Sequence, residues 1–219
     1  MAHGHLLSDR GDIQRLALQI LFNIGCESVD KLTVGRRHLD GNGGHGLQHA
    51  LGLPSIGGKD SMSGTFNDIN VPPTLIAFGI TTVDARTVIS PEFKAAGHKL
   101  YLVKHTPKGD YTPDCDALRH NFTLVTDLIE KGSVVAAYAV GFGGVAEAVS
   151  KMSFGNQIGA TLTIDNSELF DYNYGSIVVE STEDIADAAA ILIGATVEEK
   201  SISVNGQSVA LDTLLKANT

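Results

Sequence analysis

Lys59, Asp60, Ser61 and Ser63 follow a double glycine in the run Leu53-Pro54-Ser55-Ile56-Gly57-Gly58-Lys59-Asp60-Ser61-Met62-Ser63-Gly64-Thr65-Phe66-Asn67-Asp68. A cation, a carboxylate able to hold a divalent metal, and two hydroxyls are the groups that grip a phosphate together with its metal. Gly57 and Gly58 can adopt dihedrals closed to other residues and bring backbone close to a ligand, so the chain is expected to turn here. The spacing is not that of the common P-loop, which sets four residues between its first glycine and Gly-Lys-Ser/Thr. The plain alternative is a tight turn with a solvated lysine. Asn67-Asp68 reads either as an Asx turn ahead of Pro72-Pro73 or as two further site residues.

A second glycine cluster, Gly141-Phe142-Gly143-Gly144, is expected to turn into a helix whose N-terminus at Val145 offers free amides to an anion. A purely structural turn accounts for it equally well. His38, His45 and His49 are spaced by seven and four residues across a glycine-rich stretch, which reads as exposed chain rather than a metal cluster. Cys26 and Cys115 lie far apart, in no Cys-x-x-Cys pair and in no glycine-flanked strand-to-helix turn. They read as ordinary thiols. His105 and His120 have no partner spacing and read as surface residues.

These groups must be positioned by alternating strands and helices. Apolar positions Ile13, Leu16, Leu18, Ile20, Leu21 and Ile24, with Asp9 before them, predict a helix over 12–25, followed by a connection over 34–49. Strands are expected over 74–83, 100–103, 134–140 (buried), 160–164 and 176–179. Thr112-Pro113-Asp114 predicts a helix start with proline in the first helical position, and Leu118, Phe122, Val125, Leu128 and Ile129 form one apolar stripe closed by Lys131-Gly132. Thr182-Glu183-Asp184 is expected to cap an alanine-rich helix over 184–191. Asn205-Gly206 predicts a hairpin between 201–204 and 207–211, with a short helix at 211–215 to end the chain. The pattern as a whole predicts an α/β (α+β) sandwich with a mixed sheet.

Composition narrows the function. The chain of 219 residues is 43% hydrophobic, enough for a sizeable core. Residues 1–50 balance five Lys/Arg against five Asp/Glu, so the formal charge of −9 arises over 51–219. An acidic surface argues against nonspecific nucleic-acid binding, and a phosphorylated ligand would need a metal or a local amide cradle. No apolar run has the ~20 residues of a membrane span, and no secretory signal is visible, so a cytoplasmic protein is expected.

The Gly57–Asp68 run is followed in order by Pro72-Pro73-Thr74-Leu75-Ile76-Ala77-Phe78-Gly79-Ile80, Val88-Ile89-Ser90-Pro91-Glu92-Phe93, Ala136-Ala137-Tyr138, Gly143-Gly144-Val145-Ala146-Glu147-Ala148 and Ser153-Phe154-Gly155-Asn156. In that order and spacing, over roughly residues 50 to 215, the chain resembles phosphoribosylformylglycinamidine synthase, with the closer likeness to the long single-chain bacterial form. The resemblance implies the C-terminal module like aminoimidazole ribonucleotide synthetase, without the glutaminase domain that follows it in the family. Residues 1–92 would be the tail of that module's first half, with 1–46 unassigned, and 93–219 its α/β second half.

The reaction so implied is ATP- and glutamine-dependent conversion of formylglycinamide ribonucleotide to the amidine in purine biosynthesis, with ATP and Mg2+ required. The implied partners are those small molecules and a glutaminase domain. Phosphate or nucleotide contacts fall on Gly57, Gly58, Lys59, Asp60, Ser61, Ser63, Gly143 and Gly144, and a metal contact on Asp60. Many family members carry an acid before the second double glycine, in a Ser-Asp-Gly-Gly pattern; here Phe142 stands in its place. That departure favours the rival expectation, a non-catalytic structural or assembly module. The chain alone is expected to be inactive, and to self-associate through apolar surface around Leu75, Ile76, Phe78 and Ile80.

Overall fold

The computed structural model describes residues 50–52, 55–60, 64–71, 75–79, 83–109 and 112–218. The expected helix over 12–25, the connection over 34–49, the three histidines there and Cys26 lie outside them. The chain divides into two compact units, residues 1–83 and 84–219.

In the first unit, β1 (Ser55–Asp60) pairs antiparallel with β4 (Leu75–Gly79), and β2 (Gly64–Phe66) forms a hairpin with β3 (Ile69–Val71). The strand expected over 74–83 is present, and Val83 at its far end lies outside it.

The second unit is built on one sheet of seven strands: β5 (Lys99–Val103), β6 (Val134–Ala139), β7 (Gly159–Leu162), β8 (Ile177–Ser181), β9 (Ala190–Val197), β10 (Ser201–Val204) and β11 (Gln207–Ala210). Their order is β11-β10-β7-β9-β5-β8-β6. Only β10 and β7 run parallel, so the sheet is mixed, as expected. The helices are α1 (Cys115–Lys131), α2 (Gly144–Phe154), the single turn α3 (Asn166–Leu169) and α4 (Leu211–Asn218).

The core follows from two periodicities. Val145, Ala148, Val149 and Met152 recur at helical spacing on α2, and all are fully buried. They pack with Leu211 of α4 onto Leu100, Leu102, Ala136, Val178, Ala160, Leu162 and Ile193 of the sheet. Each buried Val, Leu, Ile or Met among them contributes about 2 kcal/mol, and each alanine less. Tyr101, Val103, Ile177 and Val179 alternate with these strand residues and are buried too, on the opposite face by the two-residue period of a strand. Helix α1 buries Leu118, Phe122 and Val125 of its predicted stripe.

Several local expectations are corrected. Pro113 does not occupy the first helical position of α1; it precedes the cap, and the Asp114 carboxylate accepts from the amides of Asp116 and Ala117, each at 3.1 Å. The helix expected over 184–191 does not form. Asp184 instead accepts from the Tyr101 hydroxyl at 3.0 Å and from Lys99, Asp187 caps a turn by accepting from the Ala189 amide at 2.9 Å, and the chain enters β9. Local alanine propensity loses there because the chain from Ala190 gains strand partners, Ala190, Ile191 and Leu192 pairing with β5 and Thr196 and Val197 with β7. Strand β6 is a sheet edge whose residues Ala137, Tyr138 and Ala139 are half-buried, not a fully buried strand. Helix α4 runs on past Leu215 to Asn218.

The segment before β5 is tied to the sheet by a buried acid. Glu180 of β8 has no exposure, and its carboxylate accepts from the amides of Lys94 (2.8 Å) and Ala95 (3.2 Å) and lies 2.6 Å from His98 Nδ1. The Thr196 hydroxyl donates to the Ala95 carbonyl at 2.8 Å, and the Phe93 amide donates to the Met152 carbonyl at 2.8 Å, which seats the Phe93 ring in the core. We predict that Glu180→Ala, which leaves two amides without their acceptor, lowers stability by about 3 kcal/mol in urea denaturation. Hydrogen exchange at Lys94 and Ala95 should quicken in the same variant; unchanged exchange there would show that the carboxylate does not hold the segment.

Candidate functional site

The chemistry-bearing run of the first unit lies in a strand, not in a turn. Gly57 and Gly58 are in β1 opposite Phe78 and Ala77, Lys59 is opposite Ile76, and Asp60, the strand's last residue, is opposite Leu75. The pairing shifts register between Ser55 and Gly57, a bulge that glycine accommodates. The expected turn is therefore corrected to an irregular strand that ends at the acid. Ser61 and Ser63 lie outside the described residues. Asn67 and Asp68 form the two-residue turn between β2 and β3, with Asn67 at φ 52°, so their residue types are accounted for by the hairpin.

The second glycine cluster turns into α2, as expected, with Gly143 as the cap. Its amides, however, already have acceptors. The Gly143 amide donates to Glu147 Oε2 at 2.8 Å, and the Gly144 amide donates to the Gly141 carbonyl at 3.1 Å. Gly144 adopts φ +68°, and a Cβ there would lie 2.6 Å from the Leu169 carbonyl oxygen and 2.9 Å from that of Asp171. Glycine is thus required for backbone to lie on backbone. The Gly143 and Gly144 amides are thus taken, the first by a side chain one helical turn along. Phe142 is partly exposed and stacks on Tyr172, with ring centroids 5.1 Å apart.

The histidines separate. His105 is buried, not a surface residue: its Nδ1 lies 2.8 Å from the Tyr174 carbonyl, and its Nε2 is 3.1 Å from the donating Asp114 amide. Those two contacts fix the neutral ring with its proton on Nδ1, pinning the start of α1 to the loop before β8. His120 is exposed beside Asp187, in line with the surface reading. Cys115 is a free, half-buried thiol at the first position of α1. Among the described residues no group of three His, Cys, Asp or Glu side chains is placed to hold a metal, and no helix is long and apolar enough to cross a membrane.

Sequence reasoning passed over the Glu180–His98 contact and the alignment of Phe142 with Tyr172 and Tyr174. The first had a signal: an acid directly after the apolar run Ile177-Val178-Val179, on the same strand, is costly to bury unless donors meet it. The second had none, since the rings are brought together only by the packing of Gly144 on the loop before β8.

Burial by itself would raise the Glu147 carboxyl, but Lys151 and the Gly143 amide outweigh it and hold the group below the usual carboxylate range. A group depressed in the folded state contributes stability above its unfolded value and loses it as pH falls through the folded one. We therefore predict that the native chain melts above Glu147→Gln at neutral pH, and that the gap closes as pH drops below about 4.5. A gap that stays constant down to pH 3 would remove the charge from this account.

No protein-family model matches the chain. Among curated proteins it is similar to phosphoribosylformylglycinamidine synthase subunit PurL of Pelagibacter ubique, 25% identical over 77% of this chain, and to that of Zymomonas mobilis, 24% identical over 77%. The chain spans 28% of the length of each. Both are named as subunits, and nothing in those names favours the long single-chain form. Among solved structures it is similar to Thermotoga maritima PurL complexed with ADP (TM-score 0.61, 17% identity, 77% of this chain and 33% of that one). The same protein complexed with FGAR gives a TM-score of 0.60 at 15% identity, over 77% of this chain and 36% of that one. At such identities the structural likeness is one of fold, and it agrees with the mixed α/β sheet described above. The resemblance carried by the Gly57–Asp68 run therefore holds along most of the chain: it is similar in sequence to phosphoribosylformylglycinamidine synthase and shares the fold of PurL structures.

Proposed function

We propose that the chain is part of an ATP- and glutamine-dependent ligase of purine biosynthesis, a cytoplasmic enzyme that converts formylglycinamide ribonucleotide to the amidine. The observation that carries this reading is the run Gly57-Gly58-Lys59-Asp60-Ser61 on a strand that ends at its acid, within a chain similar to PurL over 77% of its length. In this reading residues 1–92 contribute the tail of a nucleotide-binding half and residues 93–219 an α/β half. The glutaminase is a separate domain or subunit, and these 219 residues alone do not turn over. PurL structures complexed with AMPPCP, ADP and FGAR are among those the chain is similar to, which supports a nucleotide and a ribonucleotide as ligands.

The roles follow from residue chemistry. Backbone of Gly57 and Gly58, the Lys59 ammonium and the hydroxyls of Ser61 and Ser63 hold the phosphates. Asp60 holds Mg2+, which would neutralise phosphate charge. One carboxylate with hydroxyls and phosphate oxygens suits magnesium, which keeps several waters and uses few protein ligands. Activating an amide oxygen by phosphoryl transfer depends on positioning and charge neutralisation more than on a protein nucleophile. Gly143 and Gly144 reach a phosphate only if Glu147 gives up the Gly143 amide.

A second reading, a structural or assembly module of the same superfamily, is favoured by one observation: the acid expected before Gly143 is Phe142, and the amide beside it is taken by Glu147. Calorimetric titration with ATP or ADP plus magnesium separates the two. The first reading expects saturable binding that Asp60→Ala weakens at least tenfold; absence of binding at millimolar nucleotide would leave the structural module. Self-association through the segment around Leu75, Ile76, Phe78 and Ile80 is also expected, and light scattering that returns a monodisperse monomer would contradict it.

A further inference from the structure

One side-chain amide in the second unit spends both of its polar atoms on a segment other than its own. Asn205 and Gly206 form the turn between β10 and β11, at φ 51° and 87°. Asparagine and glycine tolerate such a pair of left-handed conformations, so the turn accounts for both residue types. It does not account for where the side chain goes. Asn205 Nδ2 donates to the Ile164 carbonyl at 2.8 Å, and Asn205 Oδ1 accepts from the Ile164 amide at 3.3 Å. The Asn205 backbone amide donates to the Leu162 carbonyl at 3.0 Å. The carboxamide thus clamps the hairpin to the chain leaving β7, the parallel neighbour of β10.

The same residue sets an electrophile beside a nucleophile. Both turn residues are exposed, and nothing lies within 4 Å of where a Cβ would stand at Gly206. With no side chain to hinder it, the Gly206 nitrogen can approach a neighbouring group closely. Once deprotonated, that nitrogen can attack Asn205 Cγ and close a five-membered succinimide, expelling ammonia. Water then opens the ring at either carbonyl. One opening gives aspartate, and the other gives isoaspartate, with the main chain rerouted through the side chain. Water enters and ammonia leaves, with no oxidant, reductant or cofactor required.

Attack requires the carboxamide to swing onto its own backbone, which breaks both bonds to Ile164. Reaction therefore proceeds from an open form whose share is set by local unfolding of the hairpin. The product acts back on the fold. An aspartate has no N–H for the Ile164 carbonyl and sets acceptor against acceptor. An isoaspartate lengthens the turn by one main-chain carbon and disturbs the register of β11, which leads into α4.

We propose that Asn205 is a deamidation site gated by its clamp on Ile164, closed while the hairpin is seated on β7 and open when it lifts. The inference does not rest on the nucleotide-dependent reading of the chain.

The test incubates the full chain in mildly alkaline buffer beside the peptide acetyl-Ser-Val-Asn-Gly-Gln-Ser-amide, which reproduces residues 203–208. Conversion at Asn205, separated by digestion from that at Asn42-Gly43, is read as the mass difference between amide and acid. Isoaspartate is read by enzymatic methylation of its carboxylate. Hydrogen exchange at the Ile164 amide reports opening of the clamp in the same sample. The folded chain is expected to convert about tenfold more slowly than the peptide, the net worth of two exposed neutral hydrogen bonds. Protection of the Ile164 amide should match that factor, and in concentrated urea chain and peptide should convert at one rate. Equal rates in the folded chain and the peptide would overturn the proposal. So would slow conversion with an unprotected Ile164 amide, or no conversion at Asn205 in urea.

Discussion

Glu180 lies on a strand flanked on both sides by other strands, with none of its side chain reaching water. A carboxylate in that position must be met by donors, because burying it unpaired costs several kcal/mol. The donors come from a stretch more than eighty residues earlier in the chain, the amides of Lys94 and Ala95 and the ring of His98. Meeting that requirement lays residues 93–98 across the sheet, and much else follows. Phe93 is drawn beneath α2, where its amide reaches Met152 and its carbonyl accepts from Asn156 at 2.8 Å. Thr196 of β9 closes the other side by bonding both Ala95 and His98. Strand β5, which pairs with β8 and β9, thus enters the sheet at a fixed height.

Close approach of backbone to backbone is the second constraint. A Cβ at Gly159 would lie 1.9 Å from the Glu199 carbonyl oxygen, and one at Gly194 would lie 2.0 Å from that of Thr161. These contacts set the junction of β7 with β9 and with the chain leading into β10. Gly144 plays the same part at the start of α2. Packing the turn on the loop before β8 aligns Phe142 with Tyr172 and Tyr174, while Glu147 folds back to serve the Gly143 amide. The result is a turn that resembles an anion cradle in sequence but whose Gly143 and Gly144 amides are already taken.

Much of the second unit was legible in the residues. Asp114, the stripe through Leu118, Phe122 and Val125, and Gly132 at φ 79° delimit α1 by local chemistry, and Asn205-Gly206 forms the predicted hairpin with both residues at positive φ. Where reading failed, a distant partner outweighed local preference. Residues 184–191 have the alanines of a helix, yet Asp184 bonds Tyr101 and the chain beyond is wanted between β5 and β7. His105 has no telling neighbour in sequence, and its burial is decided by Asp114 and Tyr174. The double glycine at 57–58 admits a turn or a bulged strand equally, and pairing with β4 selects the strand.

What the amino-acid order determined by itself is local or cumulative. It set the helix caps, the hairpin turn, the apolar periodicities that make an α/β sandwich, and the resemblance carried by Gly-Gly-Lys-Asp-Ser. Each depends on dihedral preference or side-chain spacing within a few residues. What only the tertiary structure decided is which polar groups are already used: the Gly143 amide by Glu147, His105 by two backbone groups, Glu180 by the chain before β5. A donor or acceptor is available for chemistry only when no other group satisfies it, and that depends on neighbours that folding, not sequence proximity, supplies.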